Sequence, residues 1–164
     1  MSNQRFSSAV QKKFIDPAHL EEVVSNIKKQ GKKIVTLNGS FDLLHAGHLE
    51  IIYQASLQGD VLIVALNTDS SVQRYKSPDR PIIPLKYRLQ MMGALEMVSF
   101  VTWFDEVDPR ELLNKIRPDV HVNGGEYGFD CIEAEVVKKH GGKIYIVEKI
   151  DGLSTSEIIK KICG

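Results

Sequence analysis

Five short runs rich in β-branched and aliphatic residues punctuate this chain, and stretches with helical spacing fall between and after them. The runs lie at 33–37, 61–66, 99–103, 120–122 and 143–147. The helical stretches lie at about 46–58, 85–95, 109–116, 130–140 and 154–162. Strand and helix alternating in this way predict a parallel sheet covered on both faces, because a parallel neighbour is reached only through a crossover. With 164 residues the chain has room for one such doubly wound α/β domain of about five strands. We expect that domain over 16–164, after a flexible lead-in over 1–15 that is polar and weakly patterned. Asp16-Pro17 reads as a helix start, with Asp as N-cap and Pro at the first helical position. Leu20, Val23, Val24 and Ile27 then recur at helical spacing, and Gly31 is a natural stop.

Composition narrows the function. Twenty-one basic residues balance 21 acidic ones, so the basic excess of a dedicated nucleic-acid binder is missing. Cys131 and Cys163 lie far apart, which suggests neither a disulfide framework nor a zinc knuckle. The first residues lack the apolar core of a signal peptide, and the longest apolar run, 61–66, is far too short to span a bilayer. A cytoplasmic protein with no membrane and no nucleic-acid partner is expected.

In an open α/β sheet, ligands bind beyond the carboxyl ends of the strands, so the residues that follow strands carry the information. The first strand runs into Asn38-Gly39-Ser40-Phe41-Asp42 and then His45-Ala46-Gly47-His48. A dinucleotide-binding domain would place Gly-x-Gly-x-x-Gly here, and that fingerprint is missing. Positions three apart share a helical face, so both imidazoles can point the same way. Gly47 leaves room for a phosphate near the backbone, and a helix N-terminus supplies N–H groups and a favourable dipole. Transfer at a phosphorus centre needs charge stabilisation and an aligned nucleophile, which two imidazoles and backbone donors can provide. Zinc ligation by the pair would need a third ligand, and none is obvious nearby, so no metal site is assigned.

The stretch GSFDLLHAGH resembles the signature box of the His-x-Gly-His nucleotidylyltransferase superfamily, and the chain is most similar to its cytidylyltransferase-like group that makes ADP-activated heptose. The matching pieces run from about 33 to 162: NGSFDLLHAGH, GDVLIVALNTDSSV, RPIIPLKYR, GALE, NGGEY and STSEIIKKI. The resemblance implies a Rossmann-like three-layer αβα domain. It implies that His45 and His48 stabilise the transition state, while Ser40, Phe41 and Gly47 bind the nucleotide's phosphates. Asp42 either touches the substrate or fixes its loop. Lys76 and Arg80 flank Ser-Pro-Asp beside the expected site, and such cations suit an incoming sugar phosphate. Arg88 matches an arginine of the family, with a structural ion pair as its expected role.

Gly124 and Gly125 follow the fourth strand and permit close approach of a nucleotide. The heptose group usually reads Lys-Gly-Gly-Asp-Tyr there, whereas this chain has Asn123, so one expected cation is missing. Ser154 and Glu157 fit a capping box at the last helix, and the resemblance implies that this helix start, through a Ser-Thr-x element, binds triphosphate oxygens, with Thr155 and Ser156 as the candidates. Trp103, Phe104 and Tyr145 read as packing residues, Asp105-Glu106 as a solvated loop, and His121 has no evident partner.

The resulting expectation is transfer of AMP from ATP to a heptose 1-phosphate, with Mg2+ arriving on the triphosphate and held mainly by phosphates and water. The sugar phosphate would come from a separate sugar kinase. Dimerisation is common among the enzymes this chain resembles, and no homodimer interface is visible in the letters. The rivals are a cytidylyltransferase acting on glycerol 3-phosphate or a related polyol phosphate, and a non-catalytic ATP-binding sensor.

Overall fold

The structure, a computed structural model, describes residues 8–125, 127–148 and 154–163. All five expected strands are present: β1 (Ile34–Gly39), β2 (Val61–Asn67), β3 (Phe100–Phe104), β4 (Val120–Gly124) and β5 (Lys143–Val147). They form one parallel sheet in the order β3-β2-β1-β4-β5. The order reverses between β1 and β4, which is where a crevice opens beyond the strand ends in folds of this kind.

Helices cover both faces. Besides a helical stretch at 8–11, they include α1 (Leu20–Lys29), α2 (Ala46–Ser56), α3 (Asp69–Tyr75), α4 (Leu85–Ala94), α5 (Arg110–Ile116), α6 (Ala134–Lys139) and α7 (Thr155–Cys163). Asp16 caps as expected, its carboxylate accepting from Ala18 N–H, but what it opens is a 3-10 turn, Pro17–His19, ahead of α1. The expected stop at Gly31 holds, with φ +71° there. Helix α3 was not expected: its sequence, DSSVQRY, buries only Ser71 and Val72, too few apolar positions to show a period. It forms because the Thr68 side chain accepts from Ser71 N–H as an N-cap.

Strand alternation divides the core in two. On one face Val35, Leu37, Leu62, Val64, Leu66, Val101 and Val122 pack with Ile52 and Ala55 of α2 and with Leu89 and Met92 of α4. On the other, Ile34, Val61, Ile63, Ala65 and Phe104 pack with Leu20, Val24 and Ile27 of α1 and with Leu112 and Ile116 of α5. This is the three-layer αβα arrangement. No helix among the described residues is long and apolar enough to cross a membrane.

The expectation of a flexible lead-in over 1–15 is corrected for its described part, residues 8–15. Ile15 N–H donates to Val101 O at 2.8 Å and Val101 N–H to Lys13 O at 2.8 Å, so the segment bridges the outer edge of β3. Val10 and Ile15 are buried, and Phe14 lies so close to Gly93 of α4 that a Cβ there would sit 3.0 Å from its ring. The physical reason is the edge itself: unpaired strand groups are satisfied by this segment, and its three apolar side chains bury on contact. Residues 1–7 lie outside the described residues.

Candidate active site

The end of β1 turns sharply at Phe41, which holds a left-handed φ of 45° although it is not glycine. Two neighbours fix it there. Its ring is buried against Gly39, where a Cβ would come within 3.2 Å of it. The next residue, Asp42, is 1% exposed and anchors the following loop. Asp42 Oδ1 accepts from Ile83 N–H at 2.8 Å, and Oδ2 accepts from Ile82 N–H at 2.9 Å and from Arg80 Nε at 2.6 Å. Burial alone would raise its pKa, but the two N–H donors and the Arg80 guanidinium outweigh it and hold the carboxyl below the usual range.

Of the two roles open to Asp42, loop fixing is therefore the one the geometry supports, since both oxygens are occupied. Arg80 is its partner in an ion pair: the guanidinium meets Asp42 at 2.6 Å, with 13% of the side chain exposed. Arg88 forms its expected ion pair, with Asp69 at 2.6 Å, and does more. Fully buried, it also donates to the carbonyls of Ser40 at 2.7 Å, Asn67 at 2.9 Å and Ile83 at 2.8 Å. One side chain thus ties together the ends of β1 and β2, the start of α3 and the Asp42 loop.

His45 sits at the N-cap of α2 with extended backbone, and His48 lies in the first turn, its N–H donating to His45 O at 2.9 Å. The spacing does what the sequence implied: the rings stack with centroids 3.8 Å apart and planes 23° from parallel. The Phe41 ring meets His48 edge-on at 5.2 Å. Nδ1 of each histidine is buried without a hydrogen-bond partner among the described residues. Burial, the neighbouring His45 and Lys76 push the His48 pKa down to about 4, and burial lowers that of His45. Both are thus neutral donors or acceptors at neutral pH. Gly47, between them, is only half-buried in that same turn.

Lys76, at the end of α3, brings the cation. Its Nζ donates to Ser40 Oγ at 3.0 Å, so Ser40 and Lys76 face each other across the cleft beside His48. The cleft encloses about 410 Å³ at the carboxyl ends of the strands. Gly39, Ser40, Phe41, His48, Lys76 and Gly124 are among the residues that line it.

Not every expected residue arrives. Gly125 is exposed just past β4 and does not line the cleft, and neither do Thr155 and Ser156. At α7 the capping box forms as expected, with Ser154 Oγ accepting from Glu157 N–H at 3.1 Å. Residues 149–153, which lead into α7, lie outside the described residues. Asp105 and Glu106 lie in an exposed loop as expected, and there Ser70, Thr68 and Arg74 donate to Asp105 and hold its pKa well down. His121, without an evident partner in the sequence, has one: Thr36 Oγ1 lies 2.8 Å from its Nδ1. Asn38 and Glu133 line the cleft and were not singled out from the sequence. The signal for Asn38 was a polar alternation on one strand face, Thr36-x-Asn38 beside His121-x-Asn123, which the sheet register aligns.

The His48 imidazole with His45 stacked on it, an ammonium, a hydroxyl and a helix start meet at one strand-end crevice. That is equipment for holding a polyphosphate and stabilising charge at a phosphorus centre. Fold and site are of the nucleotidylyltransferase class. The chain belongs to the cytidylyltransferase-like family, whose model matches residues 36–161. It is 45% identical over 140 residues to the bifunctional protein HldE of Azotobacter vinelandii, covering 85% of this chain and 30% of that one. With HldE of Citrobacter koseri it shares 44% over 146 residues, 88% of this chain and 31% of the relative. The chain thus spans about three tenths of these relatives' length. Among solved structures it resembles a lipopolysaccharide core biosynthesis protein from Thermoplasma volcanium GSS1, with a TM-score of 0.59 and 28% identity. That match covers 73% of this chain and 98% of the other. A pantoate-beta-alanine ligase from Francisella tularensis shares the fold, with a TM-score of 0.61 at 18% identity over 90% of this chain and 72% of the other.

Proposed function

We propose that this chain transfers AMP from ATP to a heptose 1-phosphate, giving ADP-heptose and pyrophosphate for envelope polysaccharide. The observation that carries the reading is the stacked His45–His48 pair set beside Lys76 and Ser40 at the strand ends. The HldE relatives and the lipopolysaccharide core protein support heptose chemistry as its setting.

In this reading an oxygen of the acceptor's phosphate attacks the α-phosphorus of ATP. A new P–O bond forms, the bond from that phosphorus to the bridging oxygen toward the β-phosphate breaks, and pyrophosphate leaves. The imidazole N–H groups of His45 and His48 donate to phosphate oxygens as negative charge builds on them. The incoming phosphates in turn favour the protonated ring, opposing the burial that keeps it neutral in the free protein. Lys76 neutralises phosphate charge as a point cation, and Ser40 Oγ, already held by Lys76, is placed to donate. Arg80 acts through Asp42 by holding the loop. Mg2+ would accompany the triphosphate and neutralise its charge. Among the described residues there is no cluster of three or more His, Cys, Asp or Glu to cage it, so phosphates and water would be its main ligands. A sugar kinase is the reaction that would supply the acceptor.

Purified protein assayed for pyrophosphate release across ATP and CTP, each with heptose 1-phosphate and glycerol 3-phosphate, tests this directly. ATP with heptose 1-phosphate should be the best pair, and a preference for CTP with glycerol 3-phosphate would replace it. With the best pair, His48→Ala should lose roughly 100-fold or more in turnover while remaining folded, the scale of deleting one preorganised donor. Near-normal turnover in that variant would sink the mechanism.

A further inference from the structure

The cleft has two chemically different ends. Lys76, Ser40 and His48 make one of them suited to phosphate. At the other stand Asn123, the fourth residue of β4, and Glu133, the residue before α6. Glu133 is 4% exposed, yet no ion pair among the described residues includes it. It does not cap α6 either. Its hydrogen-bond partners are neutral, with Asn123 Nδ2 donating to Oε2 at a long 3.4 Å and the Cys131 thiol lying against it, while Arg110 acts on it only through space. A buried carboxylate costs several kcal/mol unless strong donors satisfy it, and a single long hydrogen bond from an amide leaves this one with capacity to accept more. Asn38 adds to that capacity, because its Oδ1 is buried without a partner and lines the same cleft. A lysine at position 123, as in the heptose enzymes this chain resembles, would put a cation beside Glu133; asparagine leaves the carboxylate open.

A carboxylate and an amide oxygen that can still accept do not suit phosphate, which carries only oxygens. They suit hydroxyl groups, which donate. We propose that Glu133, with Asn38 and Asn123 beside it, receives the hydroxyl groups of a sugar ring bound in the cleft and so discriminates against rings that lack them. Asn123 is a positioning residue here, its amide donating to Glu133 beside the buried His121 ring, which Thr36 fixes in turn. The inference rests on the nucleotidyl-transfer reading for its ligands, and two rings offer this chemistry, the ribose of the nucleotide and the sugar of the acceptor.

Titration calorimetry with ATP, 2′-deoxyATP and 3′-deoxyATP reads the ribose arm on the wild-type chain and on Glu133→Gln, without needing turnover. Steady-state kinetics with the sugar phosphate and its deoxy analogues reads the acceptor arm. In one arm the wild type should lose roughly 10- to 100-fold on the deoxy ligand, the scale of a charge-assisted hydrogen bond, and Glu133→Gln should lose most of that discrimination. Asn123→Lys, which pairs the carboxylate internally, should do the same and serves if Glu133→Gln does not fold. Unchanged discrimination by the folded variants in both arms overturns the inference. If the wild type transfers nothing yet Glu133 governs ribose discrimination, the function reading fails and the inference stands.

Discussion

The two faces of the sheet are built on different rules. Toward α2 and α4, apolar side chains run the whole strand length: Val35 and Leu37, then Leu62, Val64 and Leu66. Toward α1 and α5 the same strands begin apolar, with Ile34, Val61 and Ile63, and turn polar near their carboxyl ends. There stand Thr36 and Asn38 of β1, Asn67 of β2, Thr102 of β3, and His121 and Asn123 of β4, five of them buried. Three atoms on that face, Asn38 Oδ1, Thr102 Oγ1 and His121 Nε2, are buried without an aligned partner among the described residues. Nearly all buried polar groups in folded proteins are paired, so such a concentration marks a face kept for something other than stability. The paired histidines, by contrast, come from α2, on the apolar side. The cleft thus joins groups for chemistry carried by a helix on one face to groups for recognition carried by strands on the other.

The largest effect should come from the residue that holds the two sets in register. Arg88→Ala removes a buried guanidinium whose partners sit at the ends of β1 and β2, on α3 and in the Asp42 loop, leaving three carbonyls without that donor and Asp69 Oδ1 with Leu85 N–H. Breaking a buried charged network of this kind costs about 3–5 kcal/mol, to be read as a lower denaturation midpoint in urea. A loss under about 1 kcal/mol would mean that the strand ends are held by packing alone.

Next comes the apolar face. Leu37→Ala deletes a side chain that is 2% exposed in the middle of that layer. Burial and cavity costs together put the loss at about 2–5 kcal/mol. Leu37 also lines the floor of the cleft, so kinetics should be compared at temperatures where the variant is fully folded.

How much of this was legible in the letters follows the distance over which information travels. His45 and His48 were readable because a three-residue spacing in one helix fixes their geometry locally, and the capping residues Asp16 and Ser154 for the same reason. Five strands were readable because buried parallel strands are short apolar runs. Helix α3 was not, since its stability comes from the Thr68 cap and not from a periodic apolar face. The Arg80–Asp42 pair was not readable, because nothing in SPDRP shows that Asp42, 38 residues earlier, is buried against it. Glu133 and Asn38 were invisible as a pair: only the β1–β4 register and the start of α6 bring them to one cleft.

A third expected effect separates the faces by pH. His48, in the cleft, and His121, on the polar face, both have pKa values lowered to about 4, chiefly by burial. The unfolded chain takes up these protons near pH 6.5 and the native chain only near 4, so between those values the unfolded state binds more protons. Stability is therefore full above about pH 6.5 and falls as pH drops toward 4, before carboxylates such as Asp42 begin to titrate. Denaturation midpoints at half-unit steps check this. His121→Leu should shallow the slope, and a midpoint that is flat from pH 7 to 4.5 would show that neither ring is buried in solution.

The smallest effect is the sharpest test of the contrast. Thr102 is fully buried in β3, opposite Ala65 of β2, and its Oγ1 has no hydrogen-bond partner among the described residues. A β-branched residue suits the strand, so Val fits the backbone equally well. On the apolar face, placing a hydroxyl where a methyl belongs would be costly, and removing one should be a gain. Replacing an unsatisfied buried hydroxyl by a methyl relieves a desolvation penalty of about 1–3 kcal/mol at most. Part of that is already relieved if water reaches the site, so Thr102→Val should be neutral or more stable by up to about 1 kcal/mol. Its distance from the His45–His48 pair, which sits on the other face, should leave turnover unchanged. A destabilisation above about 1 kcal/mol would instead mean that the hydroxyl is satisfied in solution, and the polar face would then be a hydrogen-bonded structural layer like any other.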